Sequence, residues 1–352
     1  MAYLQFSDIG LQAVSACVPP TVLGVESLKG MLSPEEIDKT IESIGIKERR
    51  YASKNICTSD LCCRAAEQLL NDNQIDKSEI DVLIFVSQTS DYHQPATAPI
   101  LQYRLGLSTS VLAFDVNLAC SGYVYGLSIA YSFAAQNGIR KVLLLVGETM
   151  SKIVSSKDKE SFPLFGDAGT ATLISKGKYG LSWFSLHSDG AGANIMQIPF
   201  GGFRNQSCVD GFKEIVDKSG NVRNGEQFVM DGMDVFNFGM RVEPKDIKDI
   251  VKYAGLTIED LDVVLFHQAN KFMTDFFAKR LKIPEEKVPY SLDKYGNTSS
   301  ASIPLTIVSE MLDSACFSQR NNVLMSGFGA GLSWGCVIAN LSQTHISKII
   351  EY

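Results

Sequence analysis

Short runs of uninterrupted apolar residues recur along this chain, separated by longer stretches whose apolar positions follow a helical spacing. Val82-Leu83-Ile84-Phe85-Val86, Val111-Leu112-Ala113-Phe114 and Val142-Leu143-Leu144-Leu145-Val146 are such runs in the first half. Val263-Val264-Leu265-Phe266 and Val323-Leu324-Met325 repeat the pattern in the second. A run with no polar alternation marks a strand covered on both faces. Helices are expected between the runs, for example from Leu61 to Asn71 and from Pro244 to Ala254, the latter ended by Gly255 as a C-cap. Strands alternating with helices define an α/β fold.

The two halves also resemble each other. Ile80-Asp81-Val82-Leu83-Ile84-Phe85 matches Leu261-Asp262-Val263-Val264-Leu265-Phe266 position by position, and a helix and an acidic turn precede both. Lys141 to Gly147 followed by Phe165-Gly166-Asp167-Ala168-Gly169 resembles Asn322 to Gly327 followed by Phe328-Gly329-Ala330-Gly331. Because the order of features agrees as well as the strands, we expect two similar halves, 1–180 and 181–352, packed face to face with a site at their seam.

Composition narrows the function. The chain has 352 residues, 45% of them hydrophobic and 20% charged, with a net charge of −7. That balance fits a globular protein with a sizeable core and argues against a nucleic-acid binder, which needs a basic face. Lys47, Arg49 and Arg50 form one local basic cluster. The longest apolar helix candidate, Cys120 to Asn137, is interrupted by Ser121, Gly122, Gly126 and Ser128, so no membrane span is expected. Met1 to Phe6 lack the basic start and apolar core of a signal peptide, and a cytoplasmic protein is expected. Its eight cysteines (17, 57, 62, 63, 120, 208, 316 and 336) should then be free thiols. With no CxxC pair and four histidines, no metal site is expected.

Chemistry is concentrated in four places. In Asn117-Leu118-Ala119-Cys120-Ser121-Gly122-Tyr123 a strand runs in and a helix runs out, which sets Cys120 at a helix N-terminus. Unpaired N–H groups and the helix dipole favour a thiolate there, and the small neighbours leave room for a substrate. The other seven cysteines read as ordinary buried residues. His267 follows directly on the strand Val263 to Phe266, in Phe266-His267-Gln268-Ala269-Asn270. Asn297, in Tyr295-Gly296-Asn297-Thr298-Ser299, is by itself only a turn signal. Ser326-Gly327-Phe328-Gly329-Ala330-Gly331-Leu332 is a glycine-dense loop whose N–H groups can approach a ligand, without the lysine of a phosphate loop.

Taken together these segments resemble the β-ketoacyl-acyl-carrier-protein synthase III family of the thiolase superfamily. The resemblance also rests on Gly45-Ile46-Lys47-Glu48-Arg49-Arg50 and on Met230-Asp231-Gly232 through Phe236-Asn237-Phe238, all in family order over nearly the whole chain. Cys120, His267 and Asn297 follow one another in the family's order and at its spacing. The resemblance implies a thiolase-like five-layered α-β-α-β-α sandwich of two pseudo-symmetric halves, normally a homodimer. It implies an acyl group carried on Cys120, then decarboxylative Claisen condensation with a malonyl thioester, as in the initiation of fatty acid synthesis. His267 and Asn297 would donate to the malonyl thioester oxygen, and the N–H groups of Cys120 and Ala330 would form an oxyanion hole. Phe328, Gly329 and Gly331 would line the substrate site. Acyl and malonyl thioesters of acyl carrier protein or coenzyme A are the implied partners, and no cofactor is implied.

Departures from the family pattern shape the remaining expectations. An aromatic and a basic residue usually precede the Gly45 motif and grip coenzyme A; Lys39 and Ser43 stand there, and Phe272 replaces a further arginine. This favours delivery by a carrier protein, docked on Lys271, Lys279 and Arg280. Gln94, before Pro95, takes the place of a large apolar residue lining the partner subunit's acyl tunnel, and points to an acyl group other than a plain short chain. A specialised acyltransferase of the same scaffold is the alternative. It would serve a polysaccharide or secondary-metabolite pathway and pass the acyl group to an alcohol or amine. A non-catalytic partner subunit would lack Cys120, and a hydroxymethylglutaryl synthase would need a glutamate beside it that the sequence does not place.

Overall fold

Each apolar run forms a strand, and the strands assemble into two half-sheets of matching design. The first half contains β1 (Ala2–Val18), β2 (Thr21–Gly24), β3 (Glu48–Tyr51), β4 (Ile80–Val86), β5 (Leu112–Val116), β6 (Lys141–Thr149) and β7 (Asp167–Ser188). Its helices are α1 (Pro34–Ile44), α2 (Thr58–Asp72), α3 (Thr97–Arg104) and α4 (Gly122–Ala134). Short strands β8 (Met196–Gln197), β9 (Ile215–Val216), β10 (Val222–Arg223) and β11 (Val229–Met230) follow. Then come α5 (Gly232–Tyr253), β12 (Val263–Phe266), α6 (Lys271–Leu281), α7 (Leu292–Tyr295), α8 (Ser302–Met311), β13 (Val323–Gly329) and β14 (Ser333–Ala339), with β15 (His345–Ile346) and β16 (Ile350–Glu351) last. This computed structural model describes residues 2–312 and 314–352; the side chain of Cys316, expected as a free thiol, lies outside the described set.

The internal repeat is a repeat of topology. β4 pairs parallel with β6, and β6 antiparallel with β7; β12 pairs parallel with β13, and β13 antiparallel with β14. Val82 stands opposite Val142 in the first half and Val263 opposite Val323 in the second, so a single constant offset carries the first register onto the second. β7 belongs to both arrangements. Its first part pairs with β6, its last part with β14, and β1 runs antiparallel beside it throughout. The division expected at residue 180 falls inside β7, at Gly180 (φ 76°), where the pairing with β1 shifts register.

Side chains alternate across the strands and sort the core into layers. Val82, Ile84 and Val86, with Val263 and Leu265, face a central layer of α4 and α8, where Tyr123, Val124 and Leu127 meet Ile303, Leu305 and Ile307. Leu83, Phe85, Leu143 and Leu145 face outward onto Leu61, Leu69 and Leu101 of α2 and α3. Val264, Phe266 and Leu324 face Phe238, Ile250, Met273 and Phe277 of α5 and α6 on the opposite side. Three helical layers enclosing the two half-sheets, joined through β7, give the expected α-β-α-β-α order.

Two features depart from the sequence expectations. α5 begins at Gly232 rather than at Pro244, which lies inside it. Pro244 forfeits one helical hydrogen bond. Asp231 nevertheless caps the helix by accepting from Asp234 N–H, and Phe238, Val242, Ile247 and Ile250 bury one face across the proline. The long strands β1 and β7 were not marked by apolar runs, because serine, threonine and lysine interrupt β7 and polar residues interrupt the first part of β1. No helix among the described residues is long and apolar enough to cross a membrane.

Candidate active site

Cys120 stands between β5 and α4, one residue before the helix N-cap Ser121. The approach is tight: Gly122 N–H donates to the Ala119 carbonyl at 2.6 Å. A Cβ at Gly122 would come within 2.8 Å of Val86, so only glycine lets α4 start this close to β4. The thiol is partly open to a cavity on one side and enclosed by protein elsewhere. Burial pushes it up to about 12, the Ser299 hydroxyl at 3.6 Å pulls it down, and the Glu148 carboxyl pushes it further up. Desolvation thus works against the thiolate expected from the helix terminus.

His267 leaves the end of β12 and is buried. Its Nδ1 lies 2.7 Å from Ser302 Oγ, which also accepts from Gln268 N–H at 3.4 Å. A hydroxyl that accepts from the backbone can give its own proton to Nδ1, and in that tautomer Nε2 is the N–H donor. Burial lowers the imidazole to about 3, with the Ser299 backbone opposing it, so the ring is neutral across the physiological range. Asn297 is fixed by its backbone: its N–H donates to the Leu164 carbonyl at 2.9 Å, and its carbonyl accepts from Gly166 N–H at 3.0 Å. Its Oδ1 accepts from Ser299 N–H at 2.8 Å and its Nδ2 reaches the Ala269 carbonyl at 3.4 Å. Those bonds commit the oxygen to Ser299 and leave the NH2 group as the donor side of the amide.

The glycine loop closes over the cysteine from the other half. A Cβ on Gly329 would lie 2.6 Å from Cys120 Cβ and 3.1 Å from its sulfur. Ser121 Oγ and Ser333 Oγ, 2.7 Å apart, tie the start of α4 to the strand that follows the loop. Among the described residues, no backbone acceptor outside the helices and strands takes the N–H of Cys120 or of Ala330. Phe328, Gly329 and Ala330 line the cavity; Gly331, expected with them, does not, and turns the chain at φ 144°.

The cavity has a volume of about 320 Å³ and contains Cys120, His267 and Asn297 on its wall. Apolar residues dominate the lining, among them Met150, Phe165, Met230, Phe236 and Met273. Gln88 and Asn117, which the sequence reading passed over, stand beside Cys120 on the same wall. Glu148 does not line the cavity. It is buried behind the site and accepts from Gln88 N–H at 3.0 Å, Thr89 Oγ1 at 2.7 Å and Ser300 Oγ at 3.3 Å; burial raises it to about 7. Among the described residues no glutamate lines the cavity, so none stands on its wall to serve as the acid a hydroxymethylglutaryl synthase requires. Gln94 is exposed and outside this chain's cavity.

A second hollow of about 660 Å³ shares Leu164, Met230, Gly232 and Asn270 with the first and forms its vestibule. Thr40, Ser43 and Lys159 line it, with no aromatic ring on its wall among the described residues. Its Arg223 is held by Asp158 and Asp217. Phe272 is exposed and rests on Phe236. Lys271, at the start of α6, is paired with Asp275, while Lys279 and Arg280 are exposed at its far end.

A cysteine at a strand-to-helix turn, faced across a pseudo-twofold seam by a neutral histidine and an asparagine, defines a thiolase-like acyl-transfer scaffold. Residues 114–192 match the family model described as 3-oxoacyl-[acyl-carrier-protein] synthase III, and residues 251–341 match its C-terminal model. The β-ketoacyl-[acyl-carrier-protein] synthase III of Fusobacterium nucleatum is 34% identical over 94% of this chain and 98% of its own. That of Natranaerobius thermophilus is 36% identical over 94% and 99%. The crystal structure of a 3-oxoacyl-(acyl-carrier protein) synthase from Burkholderia xenovorans covers 100% of this chain and 99% of its own, with a TM-score of 0.93 at 35% identity. The chain belongs to the β-ketoacyl-[acyl-carrier-protein] synthase III family, whose members are condensing acyltransferases of fatty acid synthesis.

Proposed function

We propose that this protein carries an acyl group on Cys120 and condenses it with a malonyl thioester. The observation that carries the reading is the meeting of Cys120, His267 and Asn297 on one cavity wall beneath Gly329. In the first step the Cys120 sulfur attacks the acyl thioester carbonyl, the thiol proton leaves with the departing thiol, and an acyl-cysteine forms. The N–H groups of Cys120 and Ala330 stabilise the oxyanion. In the second step the malonyl carboxylate is lost as carbon dioxide. The electrons it leaves form an enolate, whose oxygen receives hydrogen bonds from His267 Nε2 and Asn297 Nδ2. The enolate carbon attacks the acyl-cysteine, the carbon–carbon bond forms, and the thiolate is released and reprotonated. Neutral donors suit this step because neither has to lose a proton as charge develops.

Intact-mass measurement with acyl thioesters, alongside carbon dioxide release from a malonyl thioester, tests the assignment. Cys120→Ala should take up no acyl mass. Asn297→Ala should still be acylated while decarboxylation falls about a hundredfold to a thousandfold, the usual effect of losing one such donor. Equal loss of both steps would reduce Asn297 to a structural role.

The working unit in this reading is a homodimer in the cytoplasm. The edge strand β5, with Leu112 exposed, supports a twofold contact, and seven described unpaired cysteines suit a reducing compartment. Full activity in a monomer at high dilution would overturn the dimer.

A further inference from the structure

Two of the polar residues on the cavity wall have no part in the chemistry above. Gln88 follows the end of β4 and Asn117 the end of β5, and both line the cavity beside Cys120. Gln88 Nε2 donates to Asn117 Oδ1 at 3.1 Å. This link leaves the Gln88 carbonyl oxygen as an acceptor and the Asn117 amide hydrogens as donors, with no other side-chain bond among the described residues. Turning both amides over exchanges the roles and preserves the result: the joined pair offers a free carbonyl acceptor on one side chain and a free NH2 donor on the other. A hydroxyl group is the small function that satisfies both at once, since it donates one hydrogen bond and accepts another.

The rest of the wall sharpens the choice. Among the described residues no Lys, Arg, Asp or Glu lines the cavity, so an acyl group ending in a carboxylate or an ammonium would lose its hydration without gaining a counter-charge. Both amides are exposed in the single chain, so a plain alkyl group lying over them would gain no hydrogen bond, whereas a hydroxyl would gain one or two. Reach limits the chain length as well. Cys120 is the third residue after Asn117, so their Cα atoms are at most about 10 Å apart, and an acyl chain of a few carbons spans the gap from the sulfur. On the proposed role of Cys120, we infer that Gln88 and Asn117 are specificity residues that select a short hydroxyacyl group, with the hydroxyl a carbon or two beyond the thioester carbonyl. The product would then be a hydroxylated β-ketoacyl thioester, and a reaction that makes or exposes a hydroxyacyl thioester must precede this one.

The test is a competition followed by intact mass on the full-length protein. Pantetheine thioesters of butyrate, 3-hydroxybutyrate, 4-hydroxybutyrate and succinate are offered separately and in pairs, and the rate of mass gain on Cys120 gives kcat/KM for loading. One of the two hydroxybutyryl thioesters should load at least about tenfold faster than the butyryl thioester, the succinyl thioester slowest of all. In Gln88→Leu, and separately in Asn117→Ala, the ratio of hydroxybutyryl to butyryl loading should fall toward one. General damage to the fold would slow both donors alike and leave the ratio intact, so the ratio isolates selection. Butyryl loading as fast as hydroxybutyryl in the parent, or a parental ratio in both variants, overturns the selectivity while leaving the reading of Cys120 standing. No loading from any thioester overturns both.

Discussion

A hydrogen is all that position 329 can carry. The Cβ of an alanine there would press on Cys120 at 2.6 Å, and backbone or sulfur must move to relieve it. Displacing a nucleophile by an ångström costs about a hundredfold, so Gly329→Ala should slow acylation of Cys120 by roughly that factor while the protein still melts cooperatively. Parental acylation in a folded Gly329→Ala protein would show that the loop does not position the sulfur. That Cys120, His267 and Asn297 would meet on one wall was legible in the sequence because each sits in a short motif at a strand end or a turn. Their supports were not. Ser302, which orients the imidazole, and Ser299, beside the thiol, lie in a run of small residues that reads only as a turn. Glu148 is one acid among many until the fold buries it. Gly331, read from the sequence with the substrate site, lies at a turn just beyond the three loop residues on the cavity wall.

At the scale of elements, α5 joins the outer layer to the strand that leads into the glycine loop. Its Glu243 is buried and bonded to Ser326 of β13. Burial pushes that carboxyl up to about 8; Ser326 pulls it down and Asp246 raises it further. The folded protein therefore keeps a proton there that the unfolded chain gives up near pH 4.5. Stability from this group is whole below that pH and drains away as the pH climbs through 8. Glu243→Gln has no proton to lose. Its melting temperature relative to the parent should rise by several degrees between about pH 5 and pH 9, and a constant difference over that range would place the ionisation elsewhere. Fully covered parallel strands such as β4, β6 and β12 were legible as apolar runs. β1, β7 and the first half of α5 were not, because their burial is settled by partners far away in sequence, and a proline that usually marks a boundary is tolerated inside a well-buried helix.

For the molecule as a whole, the vestibule bears on how substrates arrive. Its described wall offers no aromatic face for an adenine, and its arginine is already paired. Delivery by a carrier protein needs neither. One acyl group presented on a carrier should give a higher kcat/KM than on coenzyme A, and the advantage should shrink as salt screens the docking charges. Charge reversal at Lys279 or Arg280, both exposed, should weaken carrier use alone. Coenzyme A proving the better donor at every salt concentration would refute the missing clamp. The repeat of topology has a further consequence. A true twofold dimer of identical chains must place the same side chain at both of any two related positions. Here the step that carries Val82 to Val263 and Val142 to Val323 also carries Cys120 to Ala301 and His267 back to Val86. Because β7 makes the two halves one molecule, related positions are free to diverge: on the proposed reading one half supplies the nucleophile and the other the hydrogen-bond donors, a division of labour that unlinked identical copies could never adopt.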